Sequence, residues 1–525
     1  MKKIEFQRSQ NAIRNIMGGL LNRLVSLVLP FAERTVFLYT LGASYLGLNS
    51  LYISMLQILN LAEFGIGSAI VYSMYQPVAQ NNKELVCALL GLYRKIYRLI
   101  GCTILVLGIG IIPFLNQVIS QDVPNDVDIH LAYLLFLLNT VIGYFAFSYK
   151  ESILNAFQRT DIISNISSCT KILQCFIQIY ILLASDNYYL YLLVMPMVTL
   201  INNIITNHIV NKKFPEYICC GIVPKEIKND IRQKVFGLFI TRICGTTRNA
   251  LDSICISAFI GLLVNAIYSN YLYVIVAVTT VFNAIGGAII PTIGNSMVQY
   301  DSEKNHNDMR QINFIYMFLS GWATICILCL IQPFMYIWAG SNLLFSFDVA
   351  ILLVMYFYLL RMGDIRAVYS DAAGLWWESR YRAIIESLMN IVLNIVLVNI
   401  LGVYGVILAT LISLFVVNFC WGSKIVFDYY FKNDKIIDFY KAHFRYLVVN
   451  TMVAAITYGI CNIVSVNMYI DFIYRVLVCA TVPFFLYRMI LIRLDEFNEA
   501  MSWLLGHIKH INKFGFILDK LKMRS

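Results

Sequence analysis

Apolar stretches of about 20 residues recur from one end of the chain to the other. That is the length a helix needs to cross roughly 30 Å of hydrocarbon. Basic residues mark the boundaries between the stretches. No Lys or Arg occurs in 36–82, 99–149, 172–211, 249–303, 311–360, 383–423 or 446–474, and six of these seven gaps hold 40 to 55 residues. Each of the six fits two spanning helices and a tight turn. The seventh has 29 residues, and its second helix carries the exception, Arg475. Lys and Arg beside spanning helices stay in the cytoplasm, so each gap reads as a hairpin that leaves and returns. Seven hairpins predict fourteen transmembrane helices with both termini cytoplasmic. The connections "LGASYLG" (41–47), "SDNYY" (185–189), "AGSNLLFSFD" (339–348) and "ILGVYG" (400–405) hold no base, and the longest, 116–130, is acidic.

Composition supports an all-α polytopic membrane protein. Of 525 residues, 59% are hydrophobic and 13% charged, against about 25% charged in ordinary soluble domains. The apolar runs are continuous rather than alternating, which excludes a transmembrane barrel. The first apolar segment carries Arg23 and Glu33 and is far longer than a signal-peptide core, so it reads as a retained helix. Two basic amphipathic segments, 83–98 and the tail 493–525, are expected to lie on the anionic inner leaflet.

The chain repeats itself at an offset of 219. Residues 18–84 align without a gap on 237–303, with identities at Gly18/Gly237, Arg23/Arg242, Gly42/Gly261, Ser50/Ser269, Tyr52/Tyr271, Gly67/Gly286, Ala69/Ala288 and Glu84/Glu303. Glu33 falls on Asp252, which keeps the carboxylate. Both copies start on the cytoplasmic side, so the repeat is parallel and predicts two six-helix lobes that open alternately to either face. The expected division is an N-lobe over 1–210, a basic cytoplasmic linker over 211–235, a C-lobe over 236–430, an added helix pair over 431–492 and the amphipathic tail.

Charges inside the apolar runs are the candidate functional groups. Arg23 and Arg34 are eleven residues apart on one face of helix 1, roughly 28 and 12 Å from the turn at Gly42. Glu33 and Arg34 point about 100° apart and pair poorly with each other, so each needs another partner. Helix 2 supplies Glu63; helix 7 supplies Arg242, Arg248 and Asp252. Each charge facing lipid would cost about 2.5–3.5 kcal/mol, so all should face the bundle interior, a wet cavity or one another. Two readings stand. In one they are structural pairs that lock helices together. In the other Arg23, Arg34, Arg242 and Arg248 line a cavity for an anionic cargo, while Glu33, Glu63 and Asp252 balance charge or carry a coupling ion. The planar, permanently charged guanidinium suits a phosphate. A third cluster, 361–387, includes Arg366, Asp371, Arg380 and Glu386; it reads as an ordinary charged inner loop or as a cytoplasmic gate.

Other chemistry finds little support. Thirteen cysteines are scattered singly, and Cys326-Ile-Leu-Cys329 has neither a second pair nor a nearby His, so the cysteines read as packing residues. Asp126-Val127-Asp128 has DxD spacing but sits in a short loop without bases. The six histidines form no HExxH, and no GxxxxGK[ST] phosphate loop occurs, so ATP is not the direct energy source. No cofactor, metal or nucleic-acid partner is expected, and coupling to a proton or sodium gradient is.

The stretches "RTVFLYTLGASYLGLNSLYISMLQILNLAEFGIGSAIVYSMYQPVA" (34–79), "LYRKIYRLIG" (92–101), "LDSICISAFIGLLVNAIYSNY" (251–271) and "DAAGLWWESRYRAIIESLMNIVLNIVL" (371–397) resemble the Wzx-type polysaccharide flippases of the MATE-like MOP superfamily. The resemblance covers most of the chain. It implies fourteen helices in a V-shaped pair of lobes in the bacterial cytoplasmic membrane. It also implies movement of an undecaprenyl-diphosphate-linked oligosaccharide to the outer leaflet, a non-enzymatic step in surface polysaccharide biosynthesis. Pathway partners would be a glycan polymerase and glycosyltransferases. Related flippases use cavity arginines for the lipid diphosphate, in keeping with the arginines here. The rival readings are a multidrug antiporter of the same superfamily, a membrane-embedded glycan polymerase or glycosyltransferase and, last, a channel.

Overall fold

The computed structural model describes residues 19, 22–23, 25–63, 65–119, 123–432, 435–464, 467–491 and 499; the side chains at 62, 230, 233, 234, 236–244, 249 and 291 are outside the description. The tail 493–525 and the first eighteen residues therefore lie outside the described residues, apart from Glu499. The described chain is helical without a strand. The longer helices are α1 (25–40), α2 (Ala43–Leu59), α3 (Ile66–Ala79), α4 (Lys83–Ile111), α5 (Ile129–Phe145), α6 (Thr160–Ser185), α7 (Tyr188–Lys213), α8 (Lys225–Phe259), α9 (Leu262–Gln299), α10 (Ser302–Ala339), α11 (Phe347–Met362), α12 (Arg380–Leu401), α13 (Val403–Phe431), α14 (Ile436–Cys461) and α15 (Met468–Leu491).

Among the described residues nine helices are long and apolar enough to cross a membrane, or ten if the bent pair Ile129–Phe145 and Ser148–Ala156 is one span. Several of the fourteen expected crossings fall short by length or charge. α2 and α11 have 17 and 16 residues, and the second half of α8 carries Arg242, Arg248 and Asp252.

The hairpin pattern itself is visible in the turns. α1 ends at 40 and α2 begins at Ala43; 219 residues on, α8 ends at Phe259 and α9 begins at Leu262. Gly42 and Gly261 make the two turns with φ of +98° and +135°, a region that side chains with a Cβ avoid. Tyr52 and Tyr271, the paired tyrosines of the repeat, are both fully buried. The Tyr52 hydroxyl donates to the Ile129 carbonyl at 2.7 Å, where α5 begins. The Tyr271 hydroxyl accepts from the Phe345 amide at 3.3 Å, just before α11. The repeat thus recurs as a shared helix-to-helix tie.

Segment 83–98 departs from the expected surface helix. It is the first half of α4, continuous to Ile111. Its apolar stripe, Val86, Leu89, Leu90, Tyr93 and Tyr97, is buried. Positions i, i+3, i+4, i+7 and i+11 form one helical face, and that face packs on α3 and α5 rather than on lipid.

The described residues divide into two compact units, 1–270 with 391–406, and 271–390 with 407–525. In the first, α2 packs along α8, and α5, α6 and α7 pack together. Gly47 of α2 lies so close to the start of α9 that a Cβ there would stand 2.0 Å from the Leu262 carbonyl oxygen. The Asn265 amide donates to the Gly47 carbonyl at 3.1 Å. Backbone cannot swing away as a side chain can. Gly47→Ala is therefore expected to cost at least the 1–3 kcal/mol typical of overpacking, read as a lower thermal midpoint of the purified chain. In the second unit α10 is central, packed by α11, α14 and α15. The segment between α7 and α8 is held by the Phe157, Phe214 and Tyr217 rings and by a Lys83–Glu216 ion pair.

Candidate cargo and coupling site

The first unit brings together most of the predicted charges. Glu33 and Arg34 lie in α1, half-buried, and they turn to different neighbours as their 100° separation requires. Glu33 accepts from the Tyr191 hydroxyl of α7 at 2.5 Å. The Phe37 ring, one turn along α1, lies 4.9 Å from the Tyr191 ring and walls the contact. The Arg34 guanidinium donates from Nε to Asn270 Oδ1 at 2.6 Å and from Nη2 to Ser269 Oγ at 2.5 Å. Both acceptors belong to α9.

Asp252, the repeat partner of Glu33, is buried in α8. It accepts from the Tyr268 hydroxyl at 3.1 Å and from the Asn394 amide at 2.7 Å. Each copy of the repeat therefore holds one carboxylate against a phenol. Arg248, one turn before Asp252, is also buried. Arg23 has an exposed side chain. The Arg242 backbone lies within α8, and its side chain is outside the described residues.

Glu63 sits where α2 breaks, in the 3-10 turn Asn60–Glu63 before α3. Gly65, with φ of +88°, restarts the chain as α3. The break turns the carboxylate toward tyrosines of two other helices. Tyr144 donates to Glu63 Oε2 at 2.6 Å, Tyr97 donates to Oε1, and Tyr93 donates in turn to Tyr97 at 2.8 Å. Hydrogen bonds to charged groups are worth about 1.5–3 kcal/mol, so Tyr144→Phe is expected to lower stability by that order. Thermal unfolding of the purified variant checks it.

Tyr316 stands 219 residues after Tyr97 and serves an acid in the second unit. Its hydroxyl donates to Asp364, which also pairs with the buried Arg361 at 2.8 Å. Where Glu63 would fall in the second copy stands Phe282, whose ring centroid lies 5.8 Å from the Arg361 guanidinium. The two copies thus keep the tyrosine and differ in where the acid comes from and in the cation beside it.

Of the four residues singled out in the 361–387 cluster, Arg366, Asp371, Arg380 and Glu386, two are joined. Arg366 is buried and donates from Nη2 to the carbonyl and the Oδ1 of Asn418, both at 2.9 Å. Asn418 donates to Glu386 at 3.0 Å, and Arg382 pairs with the same carboxylate at 2.7 Å. Asn418 is carried by a π-helical stretch, Leu414–Trp421, a wider turn that recurs at functional sites. Gly422 leaves the room for Arg366: a Cβ there would stand 2.6 Å from Nη1. Burial, and then the like charge of Arg382, lower the Arg366 pKa to about 10, which leaves it charged at neutral pH. Asp371 and Arg380 stand elsewhere. Asp371 accepts from Trp376 Nε1 at 3.2 Å, and the Arg380 guanidinium stacks 3.9 Å from the centre of the Trp377 ring.

Sequence reasoning named the charges in the apolar runs and, in the 361–387 cluster, Arg382 beside Glu386, but missed the partners Tyr191, Tyr97, Tyr144, Asn394 and Asn418. Only the i,i+4 spacing of Arg382 and Glu386 carried a sequence signal.

No protein-family profile matches the sequence, and no curated protein matches it significantly. Solved structures do match the fold. The lipid II flippase MurJ, in an inward closed conformation, aligns over 92% of this chain and 99% of its own, with a TM-score of 0.63 and 15% identity. An inward-facing multidrug resistance MATE transporter of the MOP superfamily aligns over 76% of this chain and 94% of its own, with a TM-score of 0.59 and 15% identity. The eukaryotic MATE transporter AtDTX14 aligns over 83% and 99%, with a TM-score of 0.54 and 12% identity. The chain is therefore an all-helical, multi-pass membrane protein with the fold shared by the MATE transporters and the MurJ flippase.

Proposed function

We propose that this chain is a flippase that moves a polyprenyl-diphosphate-linked oligosaccharide across a bacterial cytoplasmic membrane. The observation that carries the reading is the extent of the fold match. MurJ accounts for 92% of the chain, against 76% and 83% for the two MATE transporters. The helix pair α14 and α15, over 436–491, falls in the segment that the sequence reading sets apart as an addition to the two lobes. The buried Arg248 and the half-buried Arg34 are cationic groups within the helical unit, which suits a diphosphate headgroup better than an organic cation.

In this mechanism the headgroup and first sugars enter an inward-open cavity and meet Arg34 and Arg248, with Arg23 and Arg242 toward the cytoplasmic end. The polyprenyl tail stays in lipid, and alternating access delivers the headgroup outward without any covalent step. Glu33, Glu63 and Asp252, each held by tyrosine hydroxyls, are the candidates for coupling to protons or sodium. The charged network of Arg366, Asn418, Glu386 and Arg382 is the candidate for the cytoplasmic gate.

A multidrug antiporter of the same fold is the second reading, favoured by the MATE neighbours. Deletion of the gene in its host separates the two. The flippase reading expects lipid-linked glycan to accumulate on the cytoplasmic side with drug sensitivity unchanged; drug hypersensitivity with normal surface glycan would favour the antiporter.

A further inference from the structure

Cysteines scattered singly along the sequence meet in the second unit. Cys329 of α10, Cys461 at the end of α14 and Cys479 of α15 bring their Sγ atoms within 4.8 Å of one another. All three side chains are buried, at 1% exposure or less. Cys326, one turn before Cys329 and on the same face, donates from Sγ to the Cys479 carbonyl at 3.8 Å. The CxxC pair thus acquires its missing partners from two helices far later in the chain.

Arg475 gives the cluster its electrostatic setting. It is the basic residue that breaks the last apolar hairpin of the sequence. Its Nη1 donates to the Cys329 carbonyl at 3.4 Å and its Nη2 to Asn462 Oδ1 at 2.7 Å. Arg475 is half-buried, and a positive charge this close favours thiolates over neutral thiols. Three thiolates on a divalent ion carry a net charge of minus one, which Arg475 cancels. A monovalent ion on the same thiolates would leave the site negative.

We propose that Cys329, Cys461 and Cys479 bind a thiophilic divalent metal ion of the zinc or cadmium class and so tie α10, α14 and α15 together. Each thiol releases its proton to solvent as its sulfur–metal bond forms. With metal–sulfur bonds of about 2.3 Å, sulfurs around a tetrahedral ion stand about 3.8 Å apart, so the three need approach by about 1 Å at most. Soft thiolates select such ions over magnesium or calcium. A cavity of 310 Å³ lined by Cys329, Gln332, Tyr336, Tyr458, Met468 and Arg475 gives the ion a way in.

The test uses the full chain purified anaerobically with reductant and stripped of metal by a chelator. Cadmium titration should raise the ultraviolet thiolate-to-metal charge-transfer band to an endpoint of one ion per chain. Cys461→Ser and Cys479→Ser should each weaken binding at least tenfold, and Cys169→Ser, exposed in the other unit, should leave it unchanged. A second readout needs only the wild-type chain: zinc should raise its thermal midpoint, and chelator should reverse the rise. Absence of a saturable band, an affinity in both serine variants equal to that of the parent chain, a midpoint unmoved by zinc, or a disulfide already joining these cysteines would each overturn the proposal.

Discussion

Alanine at Arg34 or Arg248 is expected to cut export of the lipid-linked glycan about 10- to 100-fold while the chain still reaches the membrane in normal amount. The size follows from one lost charge-assisted contact to phosphate, about 1.5–3 kcal/mol, at about 1.4 kcal/mol per factor of ten. Arg34 is held by Asn270 and Ser269, which fix its direction without neutralising it by themselves. Arg34→Lys keeps the charge and loses the planar fork. It should recover part of the activity if the charge acts on cargo, and little if the fork is a helix-to-helix tie. Glycan export measured against protein level in the membrane fraction checks all three variants. Unaltered export in both alanine variants would remove the arginines from the cargo site.

Glu386→Ala is expected to have the largest effect on stability. The carboxylate is 1% exposed and receives both Arg382 and Asn418, which in turn holds the buried Arg366. Removing one member of a buried ion pair typically costs about 3–5 kcal/mol, because the remaining charge stays desolvated. Two arginines depend on this acid, one directly and one through Asn418, so the upper part of that range is expected. Glu386→Gln keeps an acceptor for Asn418 and should lose less. Thermal unfolding of the two purified variants beside the parent chain measures the difference.

Much of the fold was legible because a membrane simplifies the code. Bases mark the boundaries between hairpins, apolar length marks the helices, and the 219-residue offset anticipated that turns at Gly42 and Gly261 would match to the residue. The divergent directions of Glu33 and Arg34 also followed from helix geometry alone. What the sequence does not encode locally is which distant helix a polar group meets. Glu63 is answered by Tyr97 and Tyr144, whose hydroxyls look like ordinary aromatic packing in sequence. Asn418 reaches Glu386 because a π-helical stretch re-aims one turn of α13. The surface-helix reading of 83–98 failed for a related reason. An apolar stripe specifies a buried face, and only tertiary packing decides whether lipid or protein buries it.

The most direct test places the purified chain in liposomes with a fluorescent polyprenyl-diphosphate-linked oligosaccharide in both leaflets and follows how fast the inner pool becomes accessible to an external quencher or hydrolase. The flippase account predicts exchange well above that of protein-free liposomes, and a return to the protein-free rate when Arg34 and Arg248 are both alanine. Exchange no faster than in empty liposomes, or equal rates for the parent chain and the double variant at matched reconstitution, would contradict it.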